Sequence, residues 1–499
     1  MKSQEQNKVF LAFDFGAESA KAVTGQLKDG KLHTKEIYRF TTGLLQLDDH
    51  YYWNIYRFYE EIIKSIVICV REEGKIPESI AFDTWGVDFG LLASDGSLLR
   101  IPYAYRDPQV VEAMKEFHKR YSPEKIYELT GISMEPFNSL YHLYALRKNN
   151  DPALLNSKEI LFLPDLLNYL LCGEKKTEFS FATTTQLYNP VISAWENELL
   201  APLGIDSSFM NEVIPPGQTI GHLKDYIAEK TGAGKARISS VCSHDTASAI
   251  VVVPGTGDNW AFISSGTWSI MGIETHAPVI TPKTFAYNFS NEGIGEERYS
   301  LLKNIMGIWL LQSCKRVWEN QGLSFGYPEL VAMAEKAPPF SAFLDPDYMG
   351  FYNPDNMPRA IDQYCKLTKQ TKPSEISSYV RIILENLALK YRMVLEQLME
   401  VTGRNIETIH ITGGGIQNKL LCQFTANATG KKVIAGPVEG SALGNIFMQA
   451  KACGYLNTVD EVREIVRNTF ELKEYLPQDS TQWEAAWKKF QEILEPSHG

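Results

Sequence analysis

Apolar positions follow a strand rhythm from the first residues, and the period then changes repeatedly along the chain. Residues 8–14, KVFLAFD, are a run of β-formers that enters a tight FGAES turn, and 19–27, SAKAVTGQL, leave it as a second strand. Asp29-Gly30 signals a hairpin into a third strand over 31–40. From 52 to 73, Ile55, Tyr56, Tyr59, Ile62, Ile63, Ile66, Val67 and Val70 recur at helical spacing. Residues 79–93, SIAFDTWGVDFGLLA, then read as another apolar strand. Strands alternating with helices predict an α/β layered architecture.

The second half repeats the opening. NWAFISSGTWSIMGIE (259–274) is again strand, glycine-and-hydroxyl turn, strand, with Gly266 standing where Gly16 stands in the first half, a hint of duplication at domain scale. A helix is predicted over 378–400, entered shortly after Pro373. Its one apolar stripe comprises Val380, Ile383, Leu384, Leu387, Tyr391, Val394, Leu395 and Leu398. ETIHIT, Gly413-Gly414-Gly415 and a helix from near Asn418 follow. That order sets backbone N–H groups and a helix N-terminus beside a glycine surface that a ligand can approach. A domain boundary, able to act as a hinge, is expected between Ser239 and Asp258. From about residue 458 the tail reads as helices around a polar EYLPQDSTQ turn.

Composition narrows the class. A chain of 499 residues exceeds one hydrophobic core, so two large domains are expected. A net charge of -11 argues against nucleic acid and anionic membranes as partners, yet leaves room for a small anionic ligand. The N-terminal MKSQEQNKVFLAFD lacks the features of a secretory leader. The longest apolar run, ILFLPDLLNYLL, is broken by Pro164, Asp165 and Asn168, well short of the ~20 residues of a membrane span. Seven scattered cysteines without a CxxC pair fit a reducing compartment rather than a disulfide or zinc framework. A soluble cytoplasmic protein is expected.

No P-loop is present: Gly234-Lys235 is followed by Ala236, and Gly430-Lys431 by Lys432. GxGxxG does not follow the first strand, and Asp14-Phe15-Gly16 has no HRD before it. Nucleotide chemistry therefore needs another scaffold. Asp14 ends a strand before a serine-bearing turn, where a carboxylate can hold Mg2+ through water while Ser19 and turn amides meet phosphate; it equally suits an Asx turn. Ser264-Ser265-Gly266-Thr267 suits a phosphate loop, or an ordinary turn. Asp245 of His244-Asp245-Thr246 can accept a proton from a sugar hydroxyl; Asp245 or Thr246 can equally cap a helix. His244 lacks a second ligand at helical spacing and reads as a packing or hydrogen-bonding residue. Asp83 to Asp88, DTWGVD, offers carboxylates and an indole to a sugar, or forms an edge strand with exposed charges.

Together, FDFGAESAKA, DTWGVDFGLL with PYAYRD, SHDTASA, SSGTWS, NEG…YSLLKNIMGIWLLQ and IHITGGGIQN…AGPVEGSALGN resemble the FGGY carbohydrate kinases. The likeness runs from about Val9 to the 450s. DTWGVDF, NIMGIWLLQ and GPVEGSALGN, in that order, resemble most the branch that phosphorylates L-rhamnulose. This implies an α/β fold of two ribonuclease-H-like domains of the actin-like ATPase superfamily, 1–246 and 247–499, with the active site in a cleft between them. ATP and Mg2+ are the implied cofactors, and Asp245 is the implied catalytic base. Gly86, His244, Thr246 and Asn304 are implied sugar contacts. Ala17, Glu18, Ser19, Ala20 and Lys21 match the first ATP-phosphate loop, with Asp14 near the metal; Thr267 matches the second, and Gln312 and Gly414 other nucleotide positions. GAESAK departs from the GASSGR expected of that branch: Lys21 keeps the charge of an arginine without its bidentate geometry, and Glu18 adds a negative charge. L-fuculose, xylulose and glycerol remain alternative substrates, and an actin- or chaperone-like ATPase is the alternative class. Both monomer and dimer stay open.

Overall fold

Val9–Phe15 is buried along its length except at Asp14, as a run of β-formers must be when flanked by strands on both sides. It pairs antiparallel with Ser19–Lys28 and parallel with Pro77–Thr84. In this computed structural model the described residues are 8–494; residues 1–7, part of the leader reading above, lie outside them. The Asp29-Gly30 hairpin forms, with both residues in the left-handed region (φ 53° and 71°), and returns as Lys31–Thr41. Across the six-stranded sheet the order is Gln218–His222, Arg237–Ser240, Pro77–Thr84, Val9–Phe15, Ser19–Lys28, Lys31–Thr41.

A second sheet repeats this plan. Trp260–Ser265 pairs antiparallel with Trp268–Thr275 and parallel with Thr408–Thr412. Thr408–Thr412 pairs parallel with Lys432–Ala435, which Lys473–Tyr475 edges antiparallel. Arg298–Met306 flanks Trp268–Thr275. In each sheet the founding strand carries its hairpin neighbours on one side and two parallel strands on the other. That is the ribonuclease-H-like order, present twice, and the duplication hinted at by Gly16 and Gly266 is a duplication of topology.

Two compact units divide the chain. One holds the residues up to Val252 with Glu274–Leu301 and Gly440–Thr469; the other holds Val253–Ile273, Leu302–Glu439 and the residues from Phe470. The units therefore exchange segments, whereas the expected division, 1–246 and 247–499, uses one cut.

Two helices differ from their expected form. The helix expected over 52–73 is Ile55–Val67, capped by Asn54, whose side chain accepts the Arg57 N–H; Tyr52 belongs to the short strand His50–Tyr52, and the turns widen to a π-helix over Ile68–Glu72. The 378–400 helix is Ile376–Thr402, ended by Gly403 at φ 67°. Its middle is buried on every side from Ile382 to Tyr391, not along one stripe. The charges there are paired: Lys390 Nζ lies 2.9 Å from both Asp345 and Asp347, and Asp347 also accepts the Met306 N–H at 2.8 Å. All seven cysteines are free thiols, and no described helix is long and apolar enough to cross a membrane.

Candidate active site

Strand Arg237–Ser240 runs parallel to Pro77–Thr84, and the Thr84 N–H donates to Ser243 O at 2.9 Å, drawing loop 241–244 onto the strand end. A buried carboxylate fixes this loop. Glu178 accepts from Ser243 N (3.0 Å), Ser243 Oγ (2.7 Å), Ser180 N (2.9 Å) and Ser180 Oγ (2.5 Å). Ser180 Oγ in turn accepts the His244 N–H. Helix Asp245–Val251 begins there with His244 as its cap residue, so neither Asp245 nor Thr246 is the N-cap. Asp245 occupies the first helical position, where a carboxylate is favoured by the helix dipole. Its Oδ1 accepts the Thr246 N–H at 2.6 Å, and Thr246 itself is buried.

A third of the Asp245 side chain is exposed. Burial of the remainder raises its pKa, opposed by His244 and assisted by Asp14, which makes it a readier proton acceptor than an ordinary carboxylate. His244 Nε2 lies 3.4 Å from Asp245 Oδ1, and Nδ1 lies 3.1 Å from Glu292 Oε2. Burial disfavours the charged ring, but Glu292, Asp245 and Glu178 outweigh it and raise the pKa of His244.

The DTWGVD segment is not an exposed edge. Asp83, Thr84 and Asp88 are wholly buried, and the single strand expected over 79–93 breaks into Pro77–Thr84 and Phe89–Leu92. Asp88 Oδ2 accepts the indole N–H groups of Trp53 (2.5 Å) and Trp85 (2.7 Å), and burial lifts its pKa to about 7. The Trp85 indole is thus spent on the interior. At the break, the Asp88 N–H donates to Gly86 O around Val87, whose φ of 72° is strained for a β-branched residue. A Cβ at Gly86 would stand 3.2 Å from Thr184 Oγ1 and 3.5 Å from His244 Nε2, which places Gly86 beside the histidine.

Two further carboxylates, Asp14 and Asp83, gather near Asp245. Strand register sets Asp14 beside Asp83 and opposite Lys21, whose Nζ is 3.1 Å from Asp14 Oδ2. Burial, then Asp14 and Asp245, raise the pKa of Asp83 well above its usual value, and its Oδ1 has no hydrogen-bond partner. Its Oδ2 accepts from Asn445 Nδ2 at 2.7 Å. Asn445 lies on Gly440–Ala452, and Gln449 of that helix donates to Leu11 O. Gly444 meets Ser248 with no room for a side chain.

The surplus of negative charge fits a cation. Among the described residues no group of three or more His, Cys, Asp or Glu is arranged as a direct metal cage, so the fit is to an ion carried by phosphate and water. Asp14 has the accessible side chain; Asp83 is sealed.

The first turn is closed by Gly16 N–H donating to Ser19 O (3.0 Å), and braced by Thr42, whose Oγ1 donates to Gly16 O and whose N–H donates to Glu18 O. Glu18 is exposed, Ala17 and Ser19 are half-buried, and Ala20 turns its methyl into the core, leaving only its backbone for a ligand.

In the second unit, Thr267 is exposed at the tip of its turn, and its carbonyl accepts the Trp309 N–H at 3.0 Å. Trp309–Asn320 carries half-buried Gln312. From another direction Gly413 and Gly415 press on Ser265 closely enough to exclude a side chain, while Gly414 faces open space. A short 3-10 turn, Gly414–Gln417, separates these glycines from helix Lys419–Thr429, which Asn418 caps. Thr267, Gln312 and Gly414 thus sit on elements that converge on the 264–267 turn. Asn304 is half-buried two residues before Met306, the residue anchored by Asp347. The expected site residues therefore assemble as two groups, one within each unit. Glu178, Glu292, Asn445 and Thr42 support the first group, and no role in it was read for them from the sequence.

A model of the FGGY family of carbohydrate kinases matches residues 9–252 with its N-terminal domain and 261–453 with its C-terminal domain. Rhamnulokinase of Bacteroides thetaiotaomicron is 44% identical over 485 residues, covering 97% of this chain and 99% of its own. Rhamnulokinase of Enterococcus faecalis is 40% identical over 485 residues, covering 96% and 97%. Ligand-bound xylulose kinase from Lactobacillus acidophilus superposes with a TM-score of 0.83 at 17% identity over 98% of both chains. Plasmodium falciparum glycerol kinase with ADP does so at 0.80 and 17%, covering 97% and 98%. At such identity the last two speak for the fold alone.

Proposed function

Because the chain belongs to the FGGY family of carbohydrate kinases, and is thus a sugar kinase that uses ATP, we propose that its substrate is L-rhamnulose. The products are L-rhamnulose 1-phosphate and ADP. The choice of sugar is carried by one observation: the relatives at 44% and 40% identity, matched over nearly their whole length, are both rhamnulokinases.

In this reading Asp245 accepts the proton of the sugar's 1-hydroxyl as its oxygen approaches the γ-phosphorus. Its accessible third supports that role, because a base must touch its substrate. His244, Thr246, Gly86 and Asn304 bind the sugar. Residues 17–21, Thr267, Gln312 and Gly414 hold the nucleotide, Ala20 through its backbone. Asp14, through water, would hold Mg2+, which when bound offsets charge on the phosphates. Lys21 serves phosphate as a point charge and keeps Asp14 in place. The cytoplasm, where ATP is available, is the proposed location, and seven free thiols suit it.

A coupled assay of ADP release with L-rhamnulose, L-fuculose, xylulose, glycerol and no sugar tests the reading. L-rhamnulose is expected to give the highest kcat/KM by at least about tenfold, roughly 1.4 kcal/mol of discrimination. A higher value for another sugar would reassign the substrate, and hydrolysis indifferent to sugar would reject the transferase. Gly86→Ala places a methyl against Thr184 and His244. It is expected to raise the KM for the sugar about tenfold, with the KM for ATP unchanged. An unaltered sugar KM would remove Gly86 from the site.

A further inference from the structure

His244 is held between two carboxylates, and only one of them belongs to the proposed chemistry. Nε2 faces Asp245 Oδ1 at 3.4 Å, and Nδ1 faces Glu292 Oε2 at 3.1 Å. Glu292 stands on strand Ser290–Gly295 with about a ninth of its side chain exposed (11%). The backbone on both sides of the ring is tied. The His244 N–H bonds to Ser180 Oγ, and the preceding Ser243 is bound twice by Glu178. On the strand, Asn291 N–H donates to Gly131 O (2.8 Å) and Gly293 N–H to Thr183 Oγ1 (2.8 Å). Gly293 itself leaves no space for a side chain beside Phe179. The imidazole therefore has a carboxylate within ion-pair distance of each nitrogen, both carried on tied backbone, and neither Nδ1 nor Glu292 Oε2 has a hydrogen-bond partner.

From this geometry we propose that Glu292 is a positioning residue that acts through His244, fixing the ring's orientation and keeping it protonated so that a cation faces Asp245. The inference rests on the reading of Asp245 as the base. The charged groups that face the ring are Glu292 from its strand, Asp245 from the helix the ring caps, and Glu178 from behind the loop. Burial opposes the imidazolium, and the three carboxylates together prevail. The cation in turn holds down the pKa of Asp245 against burial and Asp14. The signs follow. Without the Glu292 charge, the ring loses its proton at lower pH, and Asp245 then ionises only at higher pH. The pH window in which the ring is charged and Asp245 ionised narrows from both ends.

The test is kcat/KM for the sugar, measured from about pH 5.5 to about 9.5, for wild type, Glu292→Gln and Glu292→Asp, and for Glu292→Gln in a His244→Gln background. Glu292→Gln is expected to move the alkaline limb down by about one pH unit and to cost about tenfold at pH 8, whereas Glu292→Asp keeps the limb in place. In the His244→Gln background, Glu292→Gln is expected to cost less than about twofold, since residues acting as one unit are not additive. Unmoved limbs, or an equal loss in both backgrounds, overturn the proposal. Should Glu292→Gln not fold, the ring titration of His244 in the wild type, assigned by NMR against His244→Gln, decides. A midpoint above the ordinary ~6.5 upholds it, and one at or below that value overturns it. If the wild type releases no ADP with any sugar, the proposed function fails, and the ring titration still tests the pair.

Discussion

Asp245→Asn is expected to lower kcat for the sugar about 10³-fold, roughly 4 kcal/mol of transition-state stabilisation, and to leave the protein folded. The fold tolerates the change for local reasons. The Asn carbonyl can still accept the Thr246 N–H that Asp245 Oδ1 now accepts, and the position is the first of its helix, where a polar side chain is welcome. The capacity to accept a proton is removed, together with one of the charges that face His244. The KM for ATP is expected to stay within about twofold, since Asp245 is not among the residues assigned to the nucleotide and three of those, Thr267, Gln312 and Gly414, lie in the other unit. Steady-state kinetics and thermal melting, run on the same preparation, check both halves. A folded Asp245→Asn enzyme that turns over within a few-fold of wild type would take the base away from Asp245.

The second large effect is expected at a residue that touches no substrate. Gly444 lies on Gly440–Ala452 against helix Asp245–Val251, where an added methyl would overlap the Ser248 carbonyl. A backbone oxygen cannot step aside as a flexible side chain does, so the helices must part. Parting draws Asn445 from Asp83 and Gln449 from Leu11. Gly444→Ala is expected to cost about 3 kcal/mol, the upper range for overpacking. For a unit of about 310 residues that lowers Tm by about 4–5 °C. Activity at 25 °C is expected to fall as well, because the displaced helix begins at Asp245. Gly43→Ala, where an added methyl meets nothing within 4 Å and φ is ordinary, is the control and is expected to melt as wild type does. Equal melting of the two variants would show that the helix contact yields more easily than its geometry implies.

What the sequence disclosed was local. The Asp29-Gly30 hairpin, the strand into Asp14 and the long helix after Pro373 announce themselves through turn chemistry and periodicity, and the structure has all three. Asp245 was visible as a carboxylate after an apolar run, although its place inside the helix rather than at the cap was not. The family motifs pointed to the same residues. Periodicity misjudged the long helix in a specific way: Glu385, Asn386 and Lys390 resemble a solvent face, yet each is buried with a partner supplied by residues 340–345. The DTWGVD carboxylates misled in the same manner, because the indoles that satisfy Asp88 come partly from Trp53. Glu178 and Thr42 carry no pattern of their own, and Glu292 and Asn445, though they fall in the NEG and GPVEGSALGN motifs, carry nothing that names their partners. Each is one polar residue whose meaning depends on a partner distant in sequence, and no spacing rule connects Asn445 to Asp83.

That distance bears on how the protein is made. Asp83 and Asn445 are separated by 362 positions. At about 5–20 residues per second, a ribosome that has just made Asp83 needs about 20–70 s more to deliver the amide that satisfies it. Throughout that interval the nascent first sheet lacks the helix that covers it, and its apolar strands and uncompensated carboxylates stand open to chaperones or to neighbouring chains. The part begun first on the ribosome is thus completed only after most of the other has emerged.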